Sequence, residues 1–177
     1  MRIAERTVGA ALAMWVAMLV GGIAGLSTAN AQIQLGGLGQ TDRAAEAKKQ
    51  HVQLLTDSVN VTASKPQDVE LRFRVDPGFH INSHMPKDQL LIPTVLKFEQ
   101  GNARTSDETY PAGKSFHLPV GNGEDLDVYQ GEFRVRLRVV APAGTSDLTG
   151  SLRYQACDTA ACFPPKTLPV RIAVSGK

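Results

Sequence analysis

In two stretches of this chain every second residue is apolar. In "DVELRFRVD", Val69, Leu71, Phe73 and Val75 alternate with Glu70, Arg72 and Arg74. In "GEFRVRLRVV", Phe133, Val135, Leu137 and Val139 alternate with Glu132, Arg134, Arg136 and Arg138. A period of two puts successive side chains on opposite faces, so both segments predict strands with one buried and one wet side. Less regular runs of the same kind occur at "VQLLTDSVNVT", "LLIPTVLKF", "DLTGSLRYQA" and "TLPVRIAVS". Turn signals separate them: Lys65-Pro66, Asp76-Pro77-Gly78, Gly101-Asn102, Gly121-Asn122-Gly123 and Ala141-Pro142-Ala143-Gly144. No amphipathic helical period interrupts the series, and there is no internal repeat. About seven short strands at this spacing predict an all-β fold, an immunoglobulin-like antiparallel β-sandwich. The arginines of 132–138 read as a solvated strand face whose charge discourages edge pairing.

The chain before His51 has a different character. Arg2 and Arg6 precede the apolar run "VGAALAMWVAMLVGGIAGLSTANA", which ends in small residues with Ala29 and Ala31 at the positions a signal peptidase reads. This predicts a signal peptide over residues 1–31, cleaved after Ala31 and directing export to the periplasm or beyond. Retention as an anchor is the rival reading, since the run approaches the roughly 20 residues that span a bilayer. Residues 32–50, glycine-rich and then charged, predict a flexible leader with one helical turn in "DRAAEAKK". Residues 51–177 form the single expected domain. Loss of Arg2, Arg6 and Glu5 with the signal lowers the formal charge from +2 to +1. That balance gives no basis for nucleic acid as a partner.

The only cysteines, Cys157 and Cys162, lie in "YQACDTAACFPPKT". Cys157 ends one strand and Cys162 leads toward the last, which makes "DTAA" a hairpin tip where a disulfide can form. Closing so short a loop removes only about 2 kcal/mol of unfolded-state entropy, a weak staple. A domain of this length also has enough core to fold without one. An exposed hairpin tip suits a labile bond. Against a reactive thiolate, Asp158 would disfavour the negative charge on Cys157. Pro164 and Pro165 lack donors and hold the chain extended. A metal clamp is a third reading, with His80, His84 and Met85 of "HINSHMP" as soft ligands beside the cysteines. On spacing alone, structural and redox roles stay level.

The residues around the cysteines add a resemblance. "YQACDTAACFPPKTLPV" resembles the cysteine hairpin of the amino-terminal periplasmic domain of DsbD, the thiol:disulfide interchange protein, with its Tyr-Gln-x-Cys start and Cys-aromatic-Pro-Pro finish. "DPGFHINSHMPKDQLLIPTVLKF" and "DVYQGEFRVRLRV" are similar to the family's segment after its first long strand and to its central strand. The similarity runs in order over residues 52–175.

The resemblance implies an immunoglobulin-like sandwich with Cys157 and Cys162 as a reversible disulfide. It implies packing of His80 and Asn82 against the pair, and a platform of Tyr154, Phe163, Pro164 and Pro165 for shielding or partner docking. It also implies a cap over the pair. "YPAGKSFHLPVGNGEDLD" stands in the cap's place with Phe116 as the lid, although it lacks the family's best-known cap motif; a core phenylalanine under a long loop is the other reading of Phe116. Cys162 is the cysteine expected to link to an oxidised partner.

The family's best-known members have more residues between the cysteines and continue into a membrane domain and a thioredoxin-like domain. This chain ends at Lys177, which leads us to expect a stand-alone carrier. The implied activity is thiol-disulfide exchange as an electron carrier or oxidoreductase. A membrane thiol reductase of DsbD or CcdA-like type would reduce the pair, and periplasmic thioredoxin-like proteins or cytochrome c maturation factors would receive the electrons. No cofactor, metal or small-molecule substrate is implied. The alternatives are an immunoglobulin-like binding module with a structural hairpin disulfide, and a periplasmic copper-binding protein.

Overall fold

The computed structural model describes residues 48–118 and 125–177. The expected signal peptide, its cleavage point and nearly all of the expected leader lie outside the described residues. Among those described, the chain is all-β, with twelve strands and no helix.

Three four-stranded sheets account for all of them. The first has the order β1-β3-β9-β6, with β1 Val52–Leu54, β3 Gln67–Val75, β9 Glu132–Val140 and β6 Arg104–Thr109. The second has the order β2-β12-β10-β5, with β2 Ser58–Val61, β12 Lys166–Gly176, β10 Gly144–Tyr154 and β5 Val95–Phe98. The third is smaller and has the order β11-β4-β8-β7, with β11 Ala156–Cys157, β4 His80–Asn82, β8 Asp125–Tyr129 and β7 Lys114–His117.

The two strongly alternating segments are β3 and β9, antiparallel neighbours in the first sheet. Leu71, Phe73, Val75, Phe133, Val135, Leu137 and Val139 point inward. There they join Leu148, Leu152, Tyr154, Val170, Ile172 and Val174 of the second sheet in one hydrophobic cluster. Phe73 and Phe133 are direct cross-strand partners, and their rings stack at 5.3 Å between centroids. Such a pair adds to the burial term that holds a sandwich together.

The strand count and one ladder differ from expectation. "VQLLTDSVNVT" splits into β1 and β2, which belong to different sheets, and β2 runs parallel to β12. The stretch around His80, which has no alternating pattern, and the expected cap from Tyr110 to Asp127 supply β4, β7 and part of β8. Strand β9 is central rather than an edge, so its arginines do not serve to block pairing. They form surface ion pairs instead: Arg134 and Arg136 with Glu70, and Arg138 with Asp68 and Asp107.

Two local features let the longest ribbon, β10 with β12, form. Pro169 lies opposite Ser151, in a part of β12 that β2 does not reach, since β2 pairs only with Ala173–Gly176. A proline's missing N–H is tolerated on such an open side. Gly150 faces β5 so closely that a Cβ there would lie 2.3 Å from the Lys97 carbonyl oxygen. Only glycine permits that approach. From the end of β10 the chain steps through Gln155 into β11, which carries the cysteine hairpin from the second sheet into the third.

Candidate functional site

Cys157 and Cys162 form a disulfide across the expected hairpin. The Asp158 N–H donates to the Ala161 carbonyl, and the Phe163 N–H to that of Ala156, so the cysteines occupy the close, non-hydrogen-bonded pair between these two bonds, with Cα atoms 3.9 Å apart. Asp158 fixes the tip: its Oδ1 accepts the N–H groups of Ala160 and Ala161, each at 2.7 Å. An aspartate that opens a turn commonly bonds its own backbone in this way. The carboxylate that would oppose a thiolate on Cys157 is thus partly occupied with the turn.

The hairpin is exposed on one side only. Cys157 is 2% exposed, because β11 is covered by β4 on its other flank. Cys162 is exposed, as are Thr159, Ala160, Ala161, Pro164 and Pro165. Phe163 turns back into the protein and is 5% exposed. Its ring lies 5.6 Å from that of His51 and 5.9 Å from that of Phe79, while His51 and Phe79 stack at 3.9 Å. The Gln155 side chain donates to the Phe163 carbonyl. Cys162 is therefore an exposed residue on a backbone anchored by the next one.

Behind Cys157 stands His80. The two are cross-strand partners in the β4–β11 ladder, so their side chains share one face. His80 is 1% exposed, and its Nε2 has no hydrogen-bond partner. Burial pushes the imidazole below its usual pKa, and the charge of Asp158 works in the opposite direction. The ring packs against Phe116, with centroids 4.2 Å apart. Phe116 is half-buried on β7, which pairs with β8, and β8 pairs with β4. The expected cap is thus a strand pair within the third sheet, and its connecting residues 119–124 lie outside the described residues.

The other sequence-derived candidates separate. Asn82 is fully buried; its side-chain amide donates to the Ile92 carbonyl, and its Oδ1 has no partner. Tyr154 belongs to the core cluster, and its hydroxyl bonds Gln50 and accepts the His51 N–H. It therefore ties the end of the leader to β10 and presents no surface to a partner. The Lys166 ammonium also reaches the Lys49 carbonyl. His80 and His84 do not converge: His84 stacks on Tyr110 at 3.7 Å, and its Nδ1 meets the Thr94 carbonyl. Met85 is 79% exposed. Among the described residues, no three His, Cys, Asp or Glu side chains are grouped to hold a metal ion.

Sequence reasoning missed His51, whose buried ring forms half of the seat for Phe163 and whose Nδ1 lies 3.7 Å from the Asp76 carboxylate. A histidine at a strand's edge carries no periodic signal. It also missed the unequal burial of the cysteines.

The sequence model of the family described as "Thiol:disulfide interchange protein DsbD, N-terminal" matches residues 51–173. The search of curated proteins found no match. Among solved structures, the chain is similar to the reduced DsbD N-terminal domain of Neisseria meningitidis, at 21% identity, TM-score 0.43, and coverage of 64% of this chain and 82% of that one. It is also similar to the N-terminal periplasmic domain of ScsB from Proteus mirabilis, at 14% identity, TM-score 0.47, and coverage of 68% of this chain and 44% of that one. A third similarity is to a PapD-like domain of human CEP192, at 9% identity, TM-score 0.31, and coverage of 72% and 85%.

Proposed function

From a chain that belongs to the DsbD N-terminal domain family and carries a Cys157–Cys162 disulfide, we propose an exported relay of reducing equivalents. A membrane thiol reductase reduces the bond, and a thioredoxin-like periplasmic protein then takes the electrons. The observation that carries this reading is the unequal exposure of the two cysteines. An incoming thiolate can reach Cys162 but not Cys157, so one sulfur exchanges with partners while the other opens and closes the bond behind it.

In the electron-donating direction, the Cys162 thiolate attacks a partner disulfide and releases one partner thiolate. Cys157 then attacks Cys162 and displaces the second, leaving the pair oxidised and the partner a dithiol. Pro164 and Pro165, exposed and without backbone donors, offer an apolar surface beside Cys162 on which a partner can rest.

The test is the reduction potential of the pair in the purified chain, measured against glutathione redox buffers. A relay has a potential in the range of exchange proteins, roughly −180 to −270 mV. A value below about −300 mV is that of an inert structural bond and favours a binding module instead.

A further inference from the structure

We propose that His80 is the proton acceptor for Cys157: its buried, unpartnered Nε2 receives the Cys157 thiol proton when that sulfur attacks to close the disulfide. The inference rests on the relay reading and deepens it.

A buried ring nitrogen without a partner is unusual, because burial removes water and leaves the group's hydrogen bond unmade. Here the oxidised pair explains the orphan. Cys157 is the residue directly across the ladder from His80, where Cβ atoms lie about 4.5–5.5 Å apart. In the disulfide, Cys157 has no S–H to donate. On reduction it gains one, and Nε2 becomes its natural acceptor. The site lacks a partner for His80 only in the redox state that has removed it.

The chemistry requires such a base. After Cys162 has formed a mixed disulfide, Cys157 must lose its proton to become a nucleophile, yet it is shielded from solvent. Nε2 takes the proton, and the Cys157 thiolate attacks Cys162 Sγ. The S–S bond between Cys162 and the partner breaks, and the partner sulfur leaves with the electron pair. The proton then passes from the imidazolium to the departing thiolate. Thiol plus mixed disulfide thus become intramolecular disulfide plus free thiol, with no other reactant.

The surroundings suit this cycle. Burial keeps the resting ring neutral and able to accept, while Asp158, at the turn beyond Cys157, favours the charged ring once formed. Phe116 covers it from β7, whose Lys114 and His117 are exposed. On β8, the residues paired with β4 are Val128 and Tyr129, and burial raises the tyrosine's pKa. The carboxylates of that strand are Asp127 and Asp125, the latter 3.3 Å from His117.

The test mixes the reduced full chain with oxidised glutathione, quenches with acid at short times, and follows the Cys162–glutathione adduct and the re-formed disulfide by mass spectrometry. His80→Gln should slow closure relative to adduct formation by about 10²- to 10⁴-fold, so the adduct accumulates. It should also remove the acid limb from the pH profile of closure. Closure with an unaltered rate and pH profile in His80→Gln overturns the inference while leaving the relay intact. A wild-type chain that forms no adduct and never re-closes overturns the relay, and this inference with it. A measurement on the unmodified chain guards against a variant that does not fold. The 15N shift of His80 Nε2 should change when the disulfide is reduced, and an unchanged shift also overturns the inference.

Discussion

Cys157 is 2% exposed, and Cys162, bonded to it, lies on the surface. The difference arises because β11 is paired with β4 on one side only, which leaves the Cys162 arm of the hairpin at the sheet's edge. In the reduced chain, brief treatment with iodoacetamide should therefore label Cys162 first, with Cys157 following much more slowly. Peptide mapping after partial reaction checks this. Equal labelling, or labelling of Cys157 first, would contradict the assignment of Cys162 as the exchanging sulfur.

The disulfide itself should add little stability. Its loop is short, and the core cluster that contains Phe73, Leu137 and Ile172 draws most of its members from the two large sheets. Replacing both cysteines by alanine should cost about 2 kcal/mol and leave a folded sandwich. Urea unfolding monitored by circular dichroism measures the loss. A double variant that fails to fold would make the cysteines structural.

What could be read from the sequence follows a physical division. β3 and β9 each have one buried and one wet face, and that contrast shows directly as alternation at Leu71, Phe73, Val135 and Leu137. β6, "RTSDET", and β7, "KSFH", are edge strands with little buried side-chain area, so no period marks them. β4, "HIN", is buried on both faces and too short for any period. The cysteine pair was legible as a hairpin from two strand ends and a four-residue tip. The partition of its sulfurs between core and solvent was not, because it depends on β4 arriving from seventy-odd residues earlier in the chain. The same long-range pairing places His80 beside Cys157.

Stability should fall on mild acidification, with His80 contributing to the loss. Burial holds its folded-state pKa below the unfolded value of 6.5. Above that pH both states leave the ring neutral and no penalty arises. As pH drops below it, the unfolded chain takes up a proton that the folded chain resists, so the equilibrium moves toward unfolding. The urea midpoint should decline between pH 7.5 and 5 more steeply in wild type than in His80→Gln. Parallel declines would show that His80 is not the group responsible.

Phe116 should act as a lid rather than as core. It is half-buried, and its ring rests on His80, the cross-strand partner of Cys157. Cys162 is already open to solvent, so removing the ring should alter the reactivity of Cys157 far more than that of Cys162. In reduced Phe116→Ala, alkylation of Cys157 should accelerate while Cys162 keeps its wild-type rate, because access to the buried thiol, not its intrinsic chemistry, is what the ring limits. The accompanying loss of stability should stay below the roughly 3–5 kcal/mol that truncating a core phenylalanine costs. Phe73→Ala, at the centre of the sandwich, supplies that benchmark in the same chain. If Phe116→Ala destabilises as much as Phe73→Ala and leaves Cys157 no more reactive, the ring is packing and the pair is shielded by other residues.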